Sequence, residues 1–158
     1  MKPQGLLVPA FIWEQTLDIF EPFSRSDLEA GCIWYGRRGD EFNVVSMIGV
    51  PKQVNNPRNF HIDADSLAEL TETIGETGLT VVTQVHIHPG ISVEHSPYDD
   101  EMIVSRRIHS LVIPYYGKRP CEISDVGVHM FRDGRWVLLE RAEAVETVRI
   151  IPSVVDMR

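Results

Sequence analysis

Residues 84–101, "QVHIHPGISVEHSPYDDE", hold three histidines, two serines and three acidic residues before Glu101. In a strand, residues two apart share a face. His86 and His88 close the apolar run "LTVVTQVHIH", so their imidazoles project together from its carboxyl end. Neutral imidazole is a common zinc ligand, and a catalytic zinc takes three protein ligands with the fourth position left for water. Asp99, in the first turn of the helix expected after the loop, is the candidate third ligand. Ser96 has a structural role open to it as N-cap ahead of Pro97 at N1. Capping orients backbone, so a chemical role for the same side chain remains available.

The full spacing, His86-x-His88-Pro89-x6-Ser96-x2-Asp99, resembles the signature of the JAMM metallopeptidases, also called the JAB or MPN+ family. The resemblance implies that His86, His88 and Asp99 bind one catalytic Zn2+, that Ser96 helps hold the transition-state oxygen, and that an upstream glutamate activates the water. The family places that glutamate just before a glycine-marked strand. Here "LEAGCIWYG" offers Glu29, Gly31 and Gly36, with the first glycine one position early and Cys32 where it is usual. Glu29 is therefore the expected base. Ile87 departs from the usual Ser or Thr between the histidines, but it points away from both. The implied fold is α/β: a three-layer α-β-α arrangement with a curved mixed sheet flanked by helices, MPN/JAB-like and cytidine-deaminase-like. The implied activity is cleavage of amide bonds at the C-terminus of a ubiquitin-like protein, or of its conjugates. Compact relatives accompany bacterial ubiquitin-like conjugation or phage-defence systems. Two other readings stay open: a non-catalytic scaffold module of the same fold, and a small-peptide amidohydrolase on the same zinc site.

Other residues near the motif compete. Asp100 adjoins Asp99, and a one-residue slip of the helix would turn it toward the metal. Glu94 and Glu101 read as surface charge, and His95 as a solvated loop residue able to meet a substrate. His109 either packs or orients a ligand. His61 and His129 read as structural, and Trp13, Trp34 and Trp136 as core or edge packing.

The surrounding elements follow from periodicity and punctuation. "AFIWEQTLDIFEPF" places Phe11, Ile12, Leu17 and Phe20 at roughly helical spacing, begun near Pro9 and stopped by Pro22. "AGCIWYGRR" and "EFNVVSMIGVP" read as a hairpin, "NNPRN" as loop and "FHID" as a short strand. "DADSLAELTETIGETG" is a capped helix with Leu67, Leu70 and Ile74 on one face. A third helix opens at "SPYDDEMIVSRR" and ends in its arginines, a charge order that suits the helix dipole. "SLVIPYY" is a strand, and "DVGVHMF" and "RWVLLER" form a hairpin turned at Asp133-Gly134. The tail "AEAVETVRIIPS" is ambiguous between helix and strand.

Composition sets the bounds. The 158 residues suit one domain, 1–158, with an ordinary 43% apolar content. A net charge of −8 argues against nucleic acid, which selects for clustered Lys and Arg. No apolar run has bilayer-spanning length and no signal peptide is evident, so a cytoplasmic protein without membrane attachment is expected. Cys32 and Cys121 read as core thiols. Nothing in the sequence bears on oligomeric state.

Overall fold

The computed structural model describes residues 5–153. Its elements run β1 (Gly5–Pro9), α1 (Ala10–Arg25), β2 (Gly31–Arg37), β3 (Phe42–Gly49), β4 (Gln53–Asn55), β5 (Phe60–Ile62), α2 (Ala64–Gly75) and β6 (Thr80–Ile87). There follow α3 (Pro97–Met102), β7 (His109–Ile113), β8 (Gly127–Arg132), β9 (Arg135–Leu138), α4 (Arg141–Thr147) and β10 (Val148–Ile151). Eight strands form one mixed sheet in the order β10-β1-β3-β2-β6-β7-β8-β9, while β4 and β5 pair separately. Helices flank this curled sheet, giving the α/β architecture expected.

The two faces are assigned by strand alternation. In β2, Cys32 and Trp34 enter one core with Trp13, Leu17 and Phe20 of α1, whereas Ile33 and Tyr35 enter a second with Leu67, Leu70 and Ile74 of α2. Burying a side chain such as Phe20 contributes about 1.5–3 kcal/mol. A polar tie reinforces the first core: Trp34 Nε1 donates to Thr16 Oγ1 at 2.9 Å, and that hydroxyl donates to the Ile12 carbonyl at 2.7 Å. Central strand β6 lies antiparallel to β2 and parallel to β7. Its fully buried Val85 and Ile87 face the α1 core, which leaves Gln84 and His86 on the α2 face.

Several elements depart from the sequence reading. Pro22 does not stop α1, which continues to Arg25. A proline in the last turn forfeits one hydrogen bond, and burial of Phe20 and Ser24 on either side offsets that cost. Phe11 is 61% exposed and lies off the apolar stripe. The helix after the histidine loop ends at Met102, so Arg106 and Arg107 lie beyond it and cannot complement its dipole. Strand β1 occupies the short amino-terminal apolar run, of which residues 1–4 lie outside the described range. The ambiguous tail is both things in turn: α4, then β10 pairing parallel with β1. Cys32 is buried and Cys121 only partly so. Among the described residues, no helix is long and apolar enough to cross a membrane.

Candidate metal centre

Strand β6 delivers His86 and His88 side by side at its carboxyl end, and α3 brings a carboxylate to them. Ser96 caps α3 in a full capping box: its Oγ accepts from Asp99 N–H at 3.1 Å, and its own N–H donates to Asp99 Oδ2 at 2.7 Å. The second bond pins the Asp99 carboxylate with its oxygens toward the histidines. His86 Nε2 and His88 Nε2 lie 3.1 Å apart; His88 Nε2 is 3.2 Å from Asp99 Oδ2, and His86 Nε2 is 3.5 Å from Asp99 Oδ1. Three donors 2.0–2.1 Å from a tetrahedral zinc would stand roughly 3.3 Å from one another. The observed triangle has that size. His86, His88 and Asp99 are all nearly inaccessible to solvent, at 1%, 8% and 6% exposure. Two imidazole lone pairs and a carboxylate converging in a buried space need a shared proton or a cation to satisfy them, and the trio could hold a metal ion.

The electrostatics agree. Burial raises a carboxyl pKa, yet hydrogen bonds from His86 and His88 override it and hold Asp99 well below the usual carboxylate range. Burial lowers His86, keeping the imidazole neutral as a ligand must be. His88 is also desolvated, but its contacts with Asp99 and the charge of Glu29 raise it. Its Nδ1 faces the Ser92 carbonyl at 3.3 Å, the kind of partner that orients a ligating ring. His86 Nδ1 has no hydrogen-bond partner among the described residues.

Glu29 reaches the site through sheet register. Gly31 pairs with His86, so the antiparallel β2–β6 ladder, continued by Ile87 N–H to the Ala30 carbonyl at 3.1 Å, sets Glu29 opposite His88. Glu29 is 4% exposed. Burial pushes its carboxyl up to about 7, against the pull of His88 and with a smaller push from Asp99. The backbone around it is clamped by β4. Asn55 Nδ2 donates to the Glu29 carbonyl at 3.0 Å, and Glu29 N–H donates to Asn56 O at 2.8 Å. The Gln53 amide both accepts from Gly31 N–H and donates to Gly31 O, each at 2.9 Å, in place of a neighbouring strand. The glycine at 31 has a steric reason: a Cβ there would lie 2.5 Å from Phe60 Cε2. On the other side, Tyr115 and Tyr116 adopt left-handed φ of 53° and 55°. Their N–H groups thereby reach the Gly90 and His88 carbonyls, while the Tyr116 hydroxyl donates to Pro57 O. An apolar cavity of about 180 Å³ opens beside His86 and Asp99, walled by Phe60, Ile62, Leu67 and Met102.

The remaining candidates separate clearly. Glu94 and Glu101 are exposed, and His61 is an exposed residue with Nδ1 3.2 Å from Tyr98 Oη. His109 precedes Ser110 in β7 and points to the opposite face from it, away from His86 and His88. Asp100 does not turn toward His86 and His88; its Oδ1 accepts from His95 Nδ1 at 2.8 Å. His95 overturns the expectation of a solvated loop residue, since its side chain is 4% exposed. Its Nε2 lies 2.8 Å from Ser110 Oγ, and its ring stacks on His129 at 3.7 Å with Trp136 edge-on at 5.5 Å. Burial pushes both His95 and His129 down to about 3. The partners of His95 come from three later strands and from the helix beyond its own cap, so no local pattern announces them.

No protein-family model matches the chain. Over 107 residues, covering 64% of this chain, it is 28% identical to a protein of Sinorhizobium fredii (strain NBRC 101917 / NGR234) named "Probable metalloprotease y4jG". The alignment spans 65% of that relative, somewhat less than two thirds of its length. Among solved structures, the chain superposes on protein DSY2949 from Desulfitobacterium hafniense with a TM-score of 0.71, covering 94% of each chain at 14% identity. That likeness shows the fold alone: a mixed, curled sheet with flanking helices.

Proposed function

We propose that this chain is a zinc-dependent metalloprotease of the JAMM type, hydrolysing amide bonds at the C-terminus of a ubiquitin-like protein. The observation that carries the metal part is the buried triangle of His86, His88 and Asp99 donors, 3.1–3.5 Å on a side, with Glu29 across the ladder from His88. The probable metalloprotease of S. fredii supports the reaction class, and the spacing of the histidine, serine and aspartate residues supports the family. The ubiquitin-like substrate rests on the family resemblance.

His86, His88 and Asp99 would hold the ion, which when bound supplies Lewis-acid polarisation and lowers the pKa of a coordinated water from 15.7 toward about 7. The chain's own residues do the rest. Glu29, poised near neutrality and kept outside the ligand set, takes a proton from the attacking water and passes it to the departing amine. A positioned general base of this kind contributes roughly 10²–10⁴ in rate. Ser96 Oγ is only an acceptor in its bond from the Asp99 N–H, so its own proton would be available to the carbonyl oxygen as negative charge develops there. The Ser96 N–H fixes Asp99, and the Ser92 carbonyl fixes His88.

The test is purification followed by metal analysis and parallel assays on a ubiquitin-fold conjugate and on short peptides. About one zinc per chain is expected, with conjugate cleavage abolished by chelation and restored by zinc. Glu29→Gln should keep zinc and lose cleavage; full activity in this variant rejects the assigned base. Cleavage of short peptides alone rejects the ubiquitin-like substrate in favour of a small-peptide amidohydrolase. A chain without metal or activity is a scaffold.

A further inference from the structure

A relay of three side chains, buried at His95 and Ser110 and open to solvent at Asp100, sits beside the metal ligands and has no part in the chemistry above. Asp100 Oδ1, His95 Nδ1, His95 Nε2 and Ser110 Oγ are linked by two contacts of 2.8 Å. The carboxylate accepts, so Nδ1 carries the ring proton, and Nε2 then accepts from the Ser110 hydroxyl. The order Asp-His-Ser is that of a nucleophilic relay, but Ser110 is 0% exposed within β7 and no substrate carbonyl can reach it. What the relay joins is more informative. Ser110 belongs to the sheet, paired with Gln84 of β6 on one side and His129 of β8 on the other. Asp100 belongs to α3, one residue from Asp99. His95 immediately precedes Ser96, and its ring is clasped by His129, stacked within 10° of parallel, and lies 5.9 Å from the ring of His86.

We infer that His95 is a positioning residue, a strut that locks the short helix α3 onto the sheet and so sets Ser96 and Asp99 against His86 and His88. The inference rests on the metalloprotease reading for the roles of Ser96 and Asp99. The physical need is plain. Helix α3 has only six residues, and the segment joining it to β6 is irregular. A surface loop and a helix of that length do not hold a carboxylate to a few tenths of an ångström unaided. Two hydrogen bonds and a ring stack supply three fixed points at the residue next to the cap. Partners that orient metal ligands typically matter by 10–100-fold in affinity or activity.

The test compares His95→Ala, Ser110→Ala and Asp100→Asn with the parent. Readouts are zinc affinity by chelator competition, kcat and KM separately, and imidazole ¹⁵N spectra of the metal-free protein. Expected in the parent is a neutral His95 with its proton on Nδ1. His95→Ala should lower zinc affinity or kcat by roughly 10–100-fold with KM changed less than about two-fold. Ser110→Ala should move the same quantities in the same direction by less, covering the case in which His95→Ala does not fold. Asp100→Asn keeps an oxygen acceptor for Nδ1 and should stay near the parent. Parent-like affinity and kcat in His95→Ala (or in Ser110→Ala where His95→Ala does not fold), an effect on KM alone, or a proton on Nε2 overturns the inference. A parent protein that binds zinc but cleaves nothing counts against the proposed function, and the affinities and spectra still decide the strut.

Discussion

Replacing Glu29 by Gln should make the metal-free protein more stable at alkaline pH while disabling it. Burial raises the Glu29 carboxyl from 4.5 to about 7. A group whose folded pKa is raised adds stability that is fully present below its unfolded value and is lost as pH rises through the folded one. At pH 8.5 the parent therefore keeps a carboxylate that would be better solvated unfolded. Every tenfold change in an ionisation equilibrium corresponds to about 1.4 kcal/mol, and discounting for the solvent that still screens the site leaves about 1–2 kcal/mol. Glutamine has the same shape without the charge, so Glu29→Gln should gain that amount at pH 8.5, roughly 2–8 °C in Tm. The gain should shrink through pH 7 and approach zero near 4.5. Urea unfolding of both proteins with chelator present, at pH 8.5, 7 and 5.5, measures it. A gain independent of pH, or none at pH 8.5, would refute the claim that Glu29 is held as a desolvated base. Added zinc should narrow the gap, because a cation beside the carboxylate favours its charged form.

Other expectations follow from the same geometry. Zinc at one hundred times its Kd should stabilise the parent by about 2.7 kcal/mol and leave His86→Ala and Asp99→Ala almost unmoved in thermal scans. If Glu29 is the base, kcat/KM should fall on the acid side with the slope of one proton, and its midpoint in the zinc form should lie below the metal-free value of about 7. Gly31→Ala puts a methyl group 2.5 Å from Phe60 Cε2, so it should cost about 1–3 kcal/mol in urea unfolding and displace Phe60 from the cavity beside His86.

Much of the site is readable because its geometry is local. A strand places His86 and His88 on one face whatever surrounds it, and a capped helix turn couples Ser96 to Asp99 across three residues. The hairpin of β2 and β3 and the helix α2 are likewise written in alternation and capping. Strands β1 and β10 are not: β10 is a short run whose partner β1 lies more than a hundred residues away, and β1 pairs in parallel with both β10 and β3 across intervening elements, so no nearby residue records either pairing. The burial of His95 is hidden for a related reason. A histidine among Gly, Ser and Glu looks solvated, and only the approach of β7, β8 and β9 buries it.

The order of residues along the chain is enough to specify the candidate ligand types and the two short-range geometries that present them: a pair of imidazoles two apart on a strand, and a carboxylate three beyond a capping serine. That these two pieces meet is a property of the folded molecule. Packing sets Glu29 opposite His88 through the register of β2 against β6, and it buries His95 where it braces both Ser96 and Asp99. The reason is physical: side-chain spacing within one element follows from backbone periodicity, whereas distances between elements depend on sheet register and packing summed over the whole chain.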